Sequence, residues 1–185
     1  MNLADKWKTL TEDTVFEVAP YLKVVRQKVQ IDDERVIDDF YQVHLRPFVI
    51  GVPFLENGKV LIMRQYKHGV GRTSLTFPGG FVDLGEAPEM ACARELLEET
   101  GVKAAQTHLL GTFTDNGNQR GCIGSYFIQT GCKSVQAPDS GDLEEMEQLE
   151  MSVDEIDKAL FSGEIAITHH AAAWSMARLH LIKSP

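Results

Sequence analysis

The chain has 185 residues, 43% of them hydrophobic, with 18 Lys and Arg against 27 Asp and Glu for a formal net charge of −9. A chain of that length buries about 70% of its unfolded surface as one globular domain, while no apolar run approaches the roughly 18–20 residues of a membrane span and no basic stripe with interleaved aromatics marks a nucleic-acid surface. The opening MNLADKWKTLTEDTV lacks the apolar middle of a secretory signal, which makes the cytoplasm the expected location.

In chain order, Tyr21 to Ile31 and Phe40 to Leu45 read as strands around the polar turn Asp32-Asp33-Glu34. Pro47 to Leu55 and Val60 to Tyr66 read as strands around Glu56-Asn57-Gly58-Lys59. A helix follows, opened by Pro88 and stopped by Gly101, with good helix formers between them. Leu109 to Thr114 and Ser125 to Thr130 are further strands, and Leu149 to Val153 has strand character. Ser152 with Glu155 forms a capping-box pattern for a helix ending at Gly163, and Thr168 caps a last helix through Leu181. No repeat or low-complexity linker interrupts this mixed pattern, so one α/β domain with a sheet between helices is expected.

Two features of charge and chemistry modify that outline. From Asp139 to Asp157 there are nine acidic residues and no basic one, so the rest of the chain balances at 18 acidic and 18 basic. Such a segment is usually a solvated loop, from which a metal site can still recruit one or two carboxylates. Cys92, Cys122 and Cys132 show no C-x-x-C spacing and are expected to be buried or partly buried free thiols.

The central helix carries the chemistry. On a wheel of about 100° per residue, Met90, Ala93 and Leu97 are expected on the core side, with Glu95, Glu98 and Glu99 roughly opposite. Like charges at i, i+3 and i+4 cost a few tenths of a kcal/mol each. A hard cation reverses that sign, and magnesium is commonly shared between one or two carboxylates and substrate phosphates. Arg94 can pair with Glu98 or orient another carboxylate.

Gly80, Glu86 and the run Arg94-Glu95-Leu96-Leu97-Glu98-Glu99-Thr100-Gly101-Val102 stand at the spacing of the Nudix box, which the segment Gly79 to Val102 resembles without a mismatch. The flanking MRQYKHGVGRTSLTFPGGFVD resembles the nucleoside diphosphate sugar pyrophosphatases, the ADP-ribose pyrophosphatase-like branch of that superfamily. The resemblance implies an α/β/α sandwich with a mixed sheet and N-terminal antiparallel strands. It implies residues 1–45 as the dimerising, base-binding part of the domain and 46–185 as the hydrolase core. It further implies Mg2+, with Mn2+ as a possible substitute, held by Glu95, Glu98, Glu99 and the backbone carbonyl of Gly79. Catalytic carboxylates would be Glu98 and, from the downstream loop, Glu145 and Glu147, with Glu144 as a neighbouring candidate. Glu86 is expected to anchor the loop and helix, and Gly80 to permit a tight turn.

For substrate, Tyr21 and Phe40 stand where the branch stacks aromatics on the nucleobase, though either ring serves equally as strand core. Arg64 and Lys67 stand where it places cations near the diphosphate or sugar, or are solvated strand-edge charges. In TFTDNGNQRGCIG, Thr112 to Gly124, the glycines imply a flexible or tightly turned loop, and Asn116, Asn118, Gln119 and Arg120 can meet a sugar or phosphate. That loop lacks the proline often found in members specialised for ADP-ribose, so GDP-mannose or a broader range of nucleotide sugars stands beside it. The expected activity is Mg-dependent hydrolysis of a nucleoside diphosphate sugar to nucleoside monophosphate and sugar phosphate, in a homodimer. The alternatives are a dinucleotide or damaged-nucleotide substrate, and a sensor that binds without turnover. His169 and His170 read as polar positions of the last helix with no catalytic role.

Overall fold

The computed structural model describes residues 7–141 and 145–183. The chain divides into two compact units, one formed by residues up to Pro47 together with Phe113–Ile123, the other by Phe48–Thr112 and Gly124–Pro185.

Three antiparallel strands build the first unit: β1 (Lys8–Val18), β2 (Leu22–Gln30) and β3 (Val36–Leu45). Only β2 alternates cleanly, burying Val25, Gln27 and Val29 and exposing the residues between. The expected turn between β2 and β3 is fixed by Asp32, whose Oδ1 accepts the backbone N–H of Glu34 at 3.1 Å and of Arg35 at 2.9 Å. β1 was not expected from the sequence, and all eleven of its residues are exposed.

The second unit contains β4 (Phe48–Leu55), β5 (Val60–Lys67), β6 (Arg72–Thr76), α1 (Pro88–Thr100), β7 (Val102–Lys103), most of β8 (Gln106–Asn116) and β9 (Arg120–Ser134), β10 (Met146–Met151), α2 (Val153–Ser162) and α3 (Thr168–Lys183). Its sheet is mixed, with β4 parallel to β9 while β5 is antiparallel to β4, β6 and β10. Alternation along these strands sorts side chains onto two faces. Ile50, Val52, Val60, Ile62, Tyr126 and Ile128 meet α2 and α3 around Trp174. Val49, Leu61, Phe127 and Cys132 meet α1 through Ala91, Cys92 and Leu96. The result is the expected α/β/α sandwich, and the three thiols are buried and unbridged, pushed up to about 12 by desolvation.

Caps match the local signals. Pro88 opens α1, Gly101 closes it in the left-handed region at φ 71°, and Ser152 and Glu155 form the reciprocal capping box of α2. The orientation of α1 does not match. Met90 is 64% exposed, Ala93 is exposed and Leu97 only half-buried, whereas Ala91, Cys92, Leu96, Glu99 and Thr100 are buried. Small Ala91 and Cys92 let the helix approach β4 closely, which places Glu95 and Glu99 inside the sheet-facing arc, an arc of about 140° from Ala91 to Leu96.

The expected Thr112–Gly124 loop is the tip of a hairpin between β8 and β9. Asn116 Oδ1 accepts the N–H groups of Asn118 at 2.9 Å and Gln119 at 2.8 Å, so its side chain builds the turn. No helix among the described residues is long and apolar enough to cross a membrane.

Candidate active site

Between β6 and α1 the chain passes through Pro78-Gly79-Gly80 with no room for a side chain. A Cβ on Gly79 would lie 2.2 Å from the Val49 carbonyl oxygen, and one on Gly80 would lie 2.4 Å from Glu95 Oε1. The bare backbone is stitched to β4 by Gly51 N–H to Pro78 O and Val49 N–H to Gly80 O, both 2.9 Å. Gly79 N–H turns the other way and donates to Glu99 Oε2 at 2.8 Å. A carboxylate that is 7% exposed is thereby held by a backbone donor one layer above the core.

Arg94 organises the remaining acids. Its Nε and Nη2 grip both oxygens of Glu86 at 2.9 and 3.0 Å, Nη1 reaches Glu95 Oε1 at 2.7 Å and Glu98 Oε2 at 3.1 Å, and Nη2 also donates to the Phe81 carbonyl at 3.0 Å. Glu86 Oε2 in addition accepts Asp83 N–H, and with Arg94 this holds its carboxyl below the ordinary carboxylate range. Glu86 is thus the anchor that the sequence suggested. Glu95 is 14% exposed at its side chain and Glu98 43%, so the three helix glutamates grade from buried to open.

The structure separates other expected residues from this cluster. Glu144 lies outside the described residues, and Glu145 is exposed just before β10. Glu147 sits directly opposite Arg64 in the β10–β5 register and bonds its Nη1 at 2.7 Å. Both share strand parity with Leu149, Val60 and Ile62, which pack toward α2 and α3, the face opposite α1. Gln148, of the other parity, reaches α1 and donates to the carbonyls of Glu99 at 3.3 Å and Thr100 at 3.4 Å. Lys67 ends β5, where its charge acts on His170.

Within the N-terminal unit, Tyr21 is 64% exposed in the β1–β2 turn, and Phe40 lies edge-on against Trp7 with ring centroids 5.8 Å apart. Tyr21 stands one residue before Leu22, which pairs with Leu45, and Gln27 pairs with Phe40, so six residue steps separate the levels of the two rings, about 20 Å at the rise of an antiparallel strand. Trp7, Phe40, Gln27, Gln42 and Asn118 line a cavity of about 300 Å3. Arg120, exposed and at φ 69°, opens β9 opposite Val43.

Sequence reasoning passed over a cleft of about 240 Å3 beside the two glycines, lined by Phe48, Gly79, Gly80, Phe81, Ile167 and His169 among others. The His-His pair opening α3 was its only signal. His169 Nδ1 lies 3.2 Å from the Tyr126 hydroxyl, and His170 Nδ1 accepts the Phe77 N–H at 3.0 Å.

Comparison with known proteins bears on this geometry. The family model described as NUDIX domain matches residues 44–170. The ADP-sugar pyrophosphatase of Mus musculus is 48% identical over 44 residues, 24% of this chain and 20% of that protein. An ADP-ribose pyrophosphatase of Methanocaldococcus jannaschii is 32% identical over 74 residues, 40% of this chain and 44% of that protein. These alignments span less than half the length of either relative. A solved structure described as an ADP compounds hydrolase superposes with a TM-score of 0.80 at 18% identity, covering 96% of this chain and 95% of the other, a likeness of fold.

Proposed function

The chain belongs to the Nudix family, and from that premise we propose that it is a metal-dependent pyrophosphatase cleaving the diphosphate bond of a nucleoside diphosphate sugar, with ADP-ribose as the first candidate. The observation that carries the reading is the buried Glu99 carboxylate fixed by Gly79 N–H beside a Glu95 carboxylate that rests on bare Gly80. Acids held this way, in excess over one arginine, suit a cation and a phosphate better than they suit a solvated surface.

The donors are all oxygen, which fits magnesium, with manganese as a substitute. Glu95, Glu98, Glu99 and the Gly79 carbonyl would hold the ion. Bound there, it neutralises diphosphate charge and polarises the attacking water. Arg94 keeps Glu95 and Glu98 oriented, and Glu86 keeps Arg94. Because Glu147 is tied to Arg64 and Glu145 is set apart from the helix glutamates, we assign the proton of the attacking water to Glu98, at the open end of the helix face. The new P–O bond to water forms as the bridging P–O bond breaks, giving nucleoside monophosphate and sugar phosphate. Lys67, Arg120, Tyr21 and Phe40 are assigned to substrate, and residues 1–45 to dimerisation and base binding within a cytoplasmic homodimer. The ADP-sugar activities named for two relatives support an adenine nucleotide despite the hairpin's lack of proline.

The test is a substrate panel of ADP-ribose, GDP-mannose and UDP-glucose, with magnesium or a chelator and with product identification. AMP and ribose phosphate from ADP-ribose, abolished by chelator, are expected. Silence across the panel sinks the reading.

A further inference from the structure

The cleft of about 240 Å3 beside Gly79 and Gly80 holds a polar group that the chemistry at phosphorus leaves unused. His170, half-buried in the first turn of α3, accepts the Phe77 N–H at Nδ1, which leaves that nitrogen without a proton. Desolvation, with smaller contributions from Lys67 and His169, keeps the ring neutral, so its one proton sits on Nε2. Nε2 has no hydrogen-bond partner among the described residues, yet it is not sealed off as His44 Nε2 and Gln129 Oε1 are. A donor of fixed tautomer thus stands open in a wall otherwise built largely from Phe48, Phe81 and Ile167. Phe48 and Phe81 oppose each other in a backbone bridge, which puts their side chains on one side of the sheet.

An apolar wall with one fixed donor suits a sugar ring, whose C–H face packs on the aromatic side chains while a hydroxyl oxygen accepts the hydrogen bond. The cleft shares Gly79 and Gly80 with the carboxylate cluster, so what enters it is the group bonded directly to the diphosphate, a sugar and not a base. Its volume lies below the roughly 300–1,000 Å3 of a drug-sized pocket, which leaves room for one ring and not for a nucleoside. Of the two sugars on the diphosphate, only the one without a base fits.

Resting on the pyrophosphatase reading, we propose that this cleft is the subsite for the sugar that carries no base, and that His170 Nε2–H donates to one of its hydroxyl oxygens. His170 thereby selects a sugar ester of the nucleoside diphosphate over a simple alkyl ester. The imidazole gives up no proton in this role, and bond making and breaking at phosphorus stay with the α1 carboxylates.

The experiment compares ADP-ribose with the methyl ester of ADP at its terminal phosphate, which keeps the adenosine and the anhydride and lacks the second sugar. Steady-state hydrolysis in magnesium and calorimetric binding in chelator are measured for the full chain and for His170→Asn, which keeps an acceptor near the Nδ1 position. The parent is expected to favour ADP-ribose in kcat/KM and in affinity. His170→Asn should reduce that preference about tenfold, chiefly through KM. Equal losses on the two esters would give His170 a structural or nucleoside-binding role and overturn the subsite. A parent without the preference, or a variant that retains it in full, overturns it too. Hydrolysis of neither ester by the parent sinks the pyrophosphatase reading, and the affinities in chelator then decide the subsite by the same criteria. Should His170→Asn fail to fold, the nitrogen resonance of His170 Nε2 in the parent decides: a shift with ADP-ribose and none with the methyl ester supports the subsite, and equal behaviour overturns it.

Discussion

Glu99 answers to two demands at one position, burial on the sheet-facing arc of α1 and negative charge beside Glu95. Its Oε2 is satisfied by Gly79 N–H, while Glu95, four residues before it on the same helix, brings a like charge close. Such a residue is expected to cost stability without metal and to return it in function. In Glu99→Gln the amide oxygen still accepts from Gly79, while repulsion from Glu95 disappears. The variant should therefore lose about a hundredfold or more in kcat, with a thermal midpoint in chelator equal to or above that of the parent. Equal losses of rate and stability would make Glu99 structural.

At the scale of elements, local signals and packing signals parted company. The ends of α1 and α2 were legible because Pro88, Gly101, Ser152 and Glu155 act on the backbone within one turn. Which face of α1 meets the sheet was not, because Met90, Ala93 and Leu97 are as apolar as Ala91, Cys92 and Leu96, and close approach to β4 selected the smaller set. β1 was illegible because none of its residues is buried, which erases the alternation a strand leaves in sequence. The three box glutamates were found from spacing, whereas Gln148 reaches α1 only through the β5–β10 register. The first turn of α3 carries a testable consequence of packing. His170 accepts Phe77 N–H at Nδ1, and desolvation pushes it down to about 3. Its folded pKa lies below its unfolded value, so the unfolded chain binds the extra proton and stability is lost as pH falls through about 6.5 toward 3. Between about pH 7 and about pH 5 this group alone should remove about 2 kcal/mol. His170→Asn keeps an acceptor near the Nδ1 position and removes the titration. Urea unfolding of both proteins at the two pH values should show that difference, and parallel pH dependences would refute it.

For the whole molecule, the N-terminal unit exposes more apolar surface than solvation explains. Val15, Phe16 and Val18 on β1, with Tyr21 and Tyr41, are each between 47% and 64% exposed. Among the described residues β1 pairs on one side only, with β2, and presents an open sheet edge. A second argument comes from the aromatics. Tyr21 and Phe40 stand six residue levels apart along the sheet, roughly 20 Å, too far for both to flank one base in a single chain. If both rings stack on the substrate base, as the proposed function requires, one must come from another copy, and the apolar edge is where that copy pairs. The chain should sediment as a dimer at micromolar concentration. Phe16→Glu combined with Val18→Glu places two charges on the exposed edge without touching a buried residue, and should give a folded monomer. Loss of the partner's ring removes one stacking contact of about 1–3 kcal/mol, so KM should rise about tenfold while kcat, set by the α1 carboxylates, changes little. A parent that sediments as a monomer and turns over with the same KM as the variant would place base recognition within one chain, and Tyr21 and Phe40 would then serve different ends of the sheet.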